Sequence, residues 1–342
     1  MMDSLLSTLE KTPLLGDGWH RVASSLTSIR GELENADKHT TLRVILLDAG
    51  LRIASSIDDP IPFLTSAERW ARRQGLTQGA LRLRLLWCME QARIDPGSVP
   101  PDVLAESINQ GQQSPALQGE WRLAQATGHS DNIRLMVEAL PHLTSASHAH
   151  LRLQALQDLA EARLDGGDTP SAVQYLIDAL ALADAHTDLE AGLKLTSMIG
   201  QLRMVQGMPE DARPYLRRAM DLAQSQNDDL ALLTQASLLA GIELQASRWK
   251  EAAKAALIQI PAALRRHNWM AVADGSITLS TTALSSDAAA DAIGILVRCN
   301  RSMTGQAPQG AVNLIRARLA EIRYLLGPEV FDPLLIEQAQ AH

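Results

Sequence analysis

The chain has 342 residues, of which 46% are hydrophobic, 20% charged and only 3% aromatic, with a formal net charge of −8. That balance argues against wholesale disorder, and an acidic chain with no basic stripe argues against wrapping nucleic acid. Cys88 and Cys299 make neither a disulfide framework nor a zinc site by themselves, residues 1–15 lack a secretory pattern, and no apolar run reaches the ~18 residues of a membrane span, so a reducing, cytoplasmic setting is expected.

Leu5, Leu6 and Leu9 share one helical face before Pro13 and a break at Gly16-Asp17-Gly18. Helical spacing then runs through Trp19, Val22, Leu26, Ile29 and Leu33, and a polar joint at Asn35 to Lys38 leads to Leu42, Ile45, Leu46, Leu51 and Ile53. Asp59-Pro60 reads as a helix start, a capping carboxylate before a residue preset for the first turn. That helix carries Phe63, Leu64, Ala67 and Trp70 and stops near Gly75. Another spans Leu76 to Ile94 and closes at Asp95-Pro96-Gly97, after which Pro101-Asp102 opens the next. Ser114 to Ala126 and Asp131 to Leu140 form a short pair around Gly128. Residues 1–145 therefore read as irregular helical hairpins, either decayed repeats or a separate helical cap; the unbroken rhythm favours decayed repeats.

In residues 146–342 one pattern returns every 40 residues: Leu159-Ala160, Ile199-Gly200, Leu239-Ala240, Leu279-Ser280 and Leu319-Ala320. A break follows each, at Gly167, Gly207, Ser247, Asp287 and Gly327, and a second helical pattern then opens on Ala172, Ala212, Ala252 and Ala292. Asp168 with Pro170, and Met208-Pro209, are helix starts; Asp287 is expected to cap the fourth second helix, and Gly327-Pro328-Glu329 to open a last helix with a polar, capping end. A fixed period of this size marks a stacked solenoid. The expected core is Leu159, Ala160, Ile199, Gly200, Leu239, Ala240, Leu279 and Leu319.

These residues resemble the tetratricopeptide repeat, and the second unit matches best: Ile199-Gly200 at the family's Leu-Gly pair, Gly207 at the turn, then Ala212, Leu216 and Ala219. The resemblance covers Leu153 to Ala339 and implies an all-α, right-handed α-solenoid of antiparallel helix pairs. There are departures. The period is 40 where the family has about 34, the closing proline is missing, and the aromatic position holds Arg163, Arg203, Glu243, Ala283 and Arg323. Long units of this kind are similar to those of bacterial signalling proteins, particularly the sensor regions of helical-repeat transcription regulators.

In solenoids of this family the first helix of each pair lines the concave surface. The resemblance thus implies a groove along Gln154, Gln157, Glu161 and Asp165, then Lys194, Ser197, Gln201 and Val205, then Thr234, Ser237, Gly241 and Gln245, continued by Asp274, Ile277, Thr281 and Ser285. Such a row suits hydrogen bonding to a peptide backbone or a helix, although a solvated face is the plainer alternative at any one position. Gly241 either lets a partner approach closely or concedes space to a crowded helix. The implied function is a non-enzymatic scaffold or adaptor for a protein or peptide partner, with a regulatory sensor of a signal peptide or small molecule as the alternative. The Lys and Asn set that clamps a C-terminal carboxylate in some family members has no counterpart here.

No cofactor or metal is expected. His148 and His150, two apart on a helix, point away from one another, and with His142 they read as a polar loop and a helix start. Arg163, Arg203 and Arg323 are expected to pair with neighbours such as Glu161 or Glu321, and Trp249 and Trp269 to pack. The acids lack the paired setting of acid–base catalysis, and neither Gly-x-Ser-x-Gly nor a phosphate loop is present.

Overall fold

The computed structural model describes residues 2–31, 33, 36–55, 59–95, 97–126, 132–145 and 148–340. The breaks assigned to Asn35, Pro96, Gly128 and Asp131, and the last two residues, Ala341 and His342, fall outside them. The described residues hold eighteen α-helices and no strand. They form two compact units, Met1–Gly192 and Leu193–His342.

The first unit contains α1 (Met2–Leu9), α2 (Asp17–Arg30), α3 (Lys38–Ser55), α4 (Ile61–Arg73), α5 (Thr77–Ile94), α6 (Pro101–Gln112), α7 (Gln118–Ala126), α8 (Asn132–Ala139), α9 (Ala149–Asp165) and α10 (Thr169–Ala185). From α2 onward each helix packs on the next, and α3, α5 and α7 also touch in turn. Short turns force such neighbours antiparallel. Leu64, Leu83, Leu85 and Leu159 anchor the main core, while Leu6, Val22, Leu26 and Ile29 close a smaller one near the start. The helix starts match the sequence signals: Asp59 Oδ1 accepts from Ile61 N at 3.0 Å, and Asp168 Oδ1 accepts from Ser171 N at 3.2 Å.

The second unit holds the rest of α11 (Leu189–Val205), then α12 (Pro209–Ser225), α13 (Asp229–Gln245), α14 (Trp249–Arg265), α15 (Trp269–Leu284), α16 (Ala289–Met303), α17 (Gln309–Leu326) and α18 (Pro328–Gln340). From α12 each helix packs on the next, and α18 folds back on α16. First helices begin at Ala149, Leu189, Asp229, Trp269 and Gln309, and second helices at Thr169, Pro209, Trp249 and Ala289, so the 40-residue step never slips.

Four of the five breaks have one physical cause; Gly327 shares the positive φ, but its ψ is 150° and the next residue, Pro328, has no N–H. Gly167, Gly207, Ser247, Asp287 and Gly327 all lie in the left-handed region, with φ of 76°, 72°, 55°, 55° and 81°. A left-handed residue after a helix turns the chain so that the next amide reaches back to a terminal carbonyl. Met208 N reaches Arg203 O at 2.9 Å, and Arg248 N reaches Glu243 O at 2.8 Å. Asp287 is therefore a turn residue and not a cap: the residue before α16 is Ala288, with no side-chain cap. Among second helices Asp168 caps α10, and the other side-chain caps stand on first helices. Asp188, Asp228 and Asn268, 40 residues apart, each accept from a backbone N–H of the first turn.

Leu159, Ala160, Ile199, Gly200, Leu239 and Ala240 are buried as expected, but Leu279 and Leu319 are only half-buried. In α15 the small residues go deepest: a Cβ on Gly275 would lie 2.7 Å from Ile260 of α14, and Ser276 and Ser280 are buried. That leaves Leu279 at the edge. In α17 the core residues are Val312, Ile315 and Ile322, while Arg316, Ala320 and Arg323 are exposed. At the equivalent positions Gly200 faces Leu216 of its own pair and Glu243 faces Arg213 and Arg217 of the preceding one, whereas α18 folds back on α16. In the last helix Phe331 is buried, while Val330 and Ile336 are exposed.

Candidate binding site

First helices of the second unit lie side by side, α13 against α15 and α15 against α17. The residues expected to line a groove in this unit lie on α11, α13 and α15. Lys194 and Gln201 on α11, and Thr234 and Gln245 on α13, are exposed; Ser197, Ser237 and Gly241 are half-buried. Around the position of a Cβ on Gly241 nothing lies within 4 Å, so no crowding explains the glycine. Val205, at the end of the row on α11, is 82% exposed. The row changes character on α15. Asp274 Oδ2 accepts from buried Gln259 at 3.0 Å, Ile277 packs on the core, and Thr281 Oγ1 accepts from Arg318 at 3.0 Å.

In the first unit, Gln154, Glu161 and Asp165 of α9 line a cleft of about 360 Å³ whose other walls come from α5, α7 and α8. Its floor includes Met89, Leu123, Met136 and Leu151. Gln157 is not among its lining residues; Asp158 is, one step round the helix. Sequence reasoning also missed Glu90 and Arg93 on the facing α5. Glu90 is buried, and Arg93 Nη2 donates to its Oε2 at 2.7 Å. The spacing of Asp158, Glu161 and Asp165, 3 and then 4, was the available signal, since it places three carboxylates on one helical stripe.

The histidines sit at the start of α9. His148 precedes the helix, with Ser145 Oγ 2.9 Å from its Nδ1 and Glu120 Oε1 2.9 Å from its Nε2. Arg82 Nε lies 3.0 Å from the same Glu120 oxygen. Burial raises the Glu120 carboxyl, but the His148 bond and the Arg82 charge outweigh it and hold the group below its ordinary value. His150 is turned inward onto Gly50 and lines a separate cavity of about 170 Å³. Burial first, and then the charges of His148 and Arg82, push its pKa down to about 3. Neither ring nitrogen has a hydrogen-bond partner among the described residues. No group of three or more His, Cys, Asp or Glu is placed to hold a metal ion among the described residues.

What decides the architecture is the crossing within a unit: α11 and α12 meet where Gly200 leaves no room for a side chain against Leu216, at the family's small position. The fold is that of a tetratricopeptide-like helical repeat. Among solved structures, the chain is similar to the apo form of RapI at 9% identity, over 88% of this chain and 96% of that one, with a TM-score of 0.49. It is similar to a Rap protein complexed with competence and sporulation factor at 14% identity, over 98% and 99%, with a TM-score of 0.38. A third likeness is to the apo form of the quorum sensor NprR from B. thuringiensis, at 17% identity over 98% and 97%, with a TM-score of 0.46. No family model and no curated protein matches the chain.

Where the tetratricopeptide repeat carries an aromatic residue, four of the five units carry a charged side chain and the fourth carries Ala283. Arg163 lies 3.6 Å from Asp168, Arg203 donates to Gln206, and Arg323 forms two bonds to Asp332. None pairs with Glu161 or Glu321; Glu321 pairs with Arg318 at 2.6 Å. The third unit reverses the sign. Glu243, fully buried, accepts from Arg213 at 2.6 Å and Arg217 at 2.9 Å on α12, and from Arg248 beyond its own helix. Burial raises the Glu243 carboxyl, but the Arg213 and Arg248 bonds outweigh it and hold it low.

Proposed function

We propose that the protein is a non-enzymatic adaptor that holds a protein or peptide partner against the first-helix face of its second unit. The observation that carries this is the row Lys194, Ser197, Gln201, Thr234, Ser237, Gly241 and Gln245, solvent-facing to differing degrees and open at the glycine. Polar, mostly uncharged side chains on rigid helices offer donors and acceptors to a backbone without a large desolvation cost. Two buried, unpaired cysteines support a reducing, cytoplasmic setting. The test is capture of partners from the native cell by the parent and by a variant carrying Ser197→Arg, Gln201→Arg and Ser237→Arg. Partners lost by the variant, with helicity unchanged, support the face; partners retained by a folded variant place the contact elsewhere.

A second reading is favoured by the cleft of the first unit. A volume of about 360 Å³ over an apolar floor is that of a ligand site, which spans ~300–1,000 Å³. It supports a regulatory sensor for a signal peptide or small molecule. Thermal shift separates the two: a sensor is stabilised by its small ligand through mass action, whereas an adaptor responds only to a macromolecule.

A further inference from the structure

His150 is a polar side chain that the first unit buries without a partner. The residue is only 8% exposed, and neither Nδ1 nor Nε2 has a hydrogen-bond partner among the described residues. A buried imidazole left unbonded forfeits the water it had in the unfolded chain, and buried polar groups of native folds are met by something. The ring lines the cavity of about 170 Å³ whose walls come from α3, α5, α9 and the turn after α1. Five leucines, Leu14, Leu46, Leu47, Leu86 and Leu151, make most of that wall apolar. Gly50 leaves one edge of the ring uncovered: a Cβ there would lie 3.6 Å from His150 Cε1 and 3.9 Å from its Nε2. An apolar cavity of ~150 Å³ is enough to hold benzene, so this one has room for a single ring bearing a small polar group.

The charged groups of the lining are already paired. Arg43 forms two bonds to Glu10, at 2.7 and 2.8 Å, and a third to Asp3 at 2.9 Å. Arg82 lies 3.0 Å from Glu120 and 2.9 Å from His148. An ion entering the cavity would lose its hydration and find no unpaired counter-charge among the lining residues. The imidazole itself is neutral, since burial above all pushes its pKa down to about 3. It therefore presents one donor and one acceptor. A hydroxyl suits either tautomer, because it donates to a bare nitrogen and accepts from an N–H.

We propose that this cavity binds a small uncharged alcohol or phenol, with its hydroxyl on the His150 ring and its apolar body among the five leucines. The site shares only Leu151 with the cleft of the same unit and takes no residue from the second unit, so it goes beyond both functional readings and stands or falls without them. His150 supplies the discrimination. An apolar ring of the same size fits the walls but leaves the imidazole unbonded, and a carboxylate brings a charge that nothing there balances.

The test uses the full chain and three single-ring probes, phenol, benzene and benzoate, titrated by calorimetry. Phenol should bind saturably, one per chain, about five- to tenfold tighter than benzene, the worth of one hydrogen bond. Benzoate should give no detectable heat. In a chain carrying isotope-labelled histidine, phenol should move the ring-nitrogen signals that are missing from His150→Leu. That variant keeps an apolar side chain of similar size, so it should lose the preference and bind phenol and benzene within about twofold of each other. Leu86→Phe, which fills the cavity, should abolish binding of both. Where it fails to fold by circular dichroism, the signal shift in the parent and the lost preference in His150→Leu decide alone. No saturable phenol binding by the parent would overturn the proposal. So would a phenol preference that survives in His150→Leu, phenol binding by a folded Leu86→Phe variant, or benzoate binding as tightly as phenol. Ala162→Leu, which fills the cleft, should leave phenol binding unchanged. Loss with Ala162→Leu but not with Leu86→Phe would place the probe in the cleft, which overturns the proposal and favours the sensor reading.

Discussion

Gly200 on α11 lies against Leu216 on α12, so closely that a Cβ on the glycine would stand 2.6 Å from Leu216 Cδ2 and 2.9 Å from its Cγ. Leu216 is fully buried. Gly200→Ala should therefore destabilise the second unit, although alanine is the better helix former. The expected cost is about 1–3 kcal/mol from overpacking, and Gly200→Leu should cost more. Urea unfolding followed by circular dichroism measures it, and an unchanged midpoint would mean that the two helices part without penalty.

The same crossing shows how much of the fold is legible in the sequence. The pairs ending in Ala160, Gly200 and Ala240 mark where helices cross, because only small residues are tolerated there, and each break shows as a glycine or a small polar residue able to turn left-handed. Such constraints are local and leave a local mark. The cleft is not legible in the same way. Glu161 and Asp165 can be placed on a ligand-facing side, but Met89, Arg93 and Met136 come from α5 and α8, and no spacing in the sequence brings them to α9. Glu243 escapes sequence reasoning for a related reason. It stands where other units carry arginine, and only the packing of α12 on α13 delivers Arg213 and Arg217 to it.

Glu243→Ala should remove the acceptor that three guanidiniums share. Arg213 and Arg248 are partly exposed and rehydrate in part, so the expected loss is about 1–3 kcal/mol. The folded chain holds this carboxyl below its ordinary pKa of 4.5. Its contribution is thus complete above about pH 4.5 and is lost as pH falls through the folded value. Parent and variant should converge in stability on acidification; a gap that stays constant would show that the ion cluster is not its source.

His150 predicts a different acid dependence. The unfolded chain takes up a proton near 6.5, whereas the buried ring resists it down to about 3. Between those values the unfolded state binds one more proton than the folded state, so stability falls with falling pH, by at most about 1.4 kcal/mol per pH unit. His150→Leu should flatten that slope between pH 6.5 and the onset of carboxylate protonation. Unfolding midpoints across this range decide it, and an unchanged slope in the variant would mean that the ring is hydrated and titrates normally.

Asp228 Oδ1 accepts from Leu230 N and Ala231 N, each at 3.0 Å, and so satisfies two donors at the start of α13. Asp228→Ala should cost about 1 kcal/mol, and Asp228→Asn much less, because asparagine caps equally well. Equal losses in both would assign the effect to charge and not to the cap.

Gly241 should show the opposite sign to Gly200 for the same substitution. Both glycines lie inside first helices one repeat-step and one residue apart, at positions 200 and 241, yet nothing lies within 4 Å of where a Cβ on Gly241 would be. Gly241→Ala therefore meets no steric penalty and removes backbone entropy from the unfolded chain, so it should stabilise by about 0.5–1 kcal/mol. The pair forms an internal control: one methyl group, two neighbouring first helices, and only the environment differs. A stabilised Gly241→Ala variant that still holds its partner would show that close backbone approach is not needed there. A stabilised variant that has lost its partner would locate the contact at the glycine. Destabilisation would mean that something covers this stretch of α13, and the face could not then be an open groove.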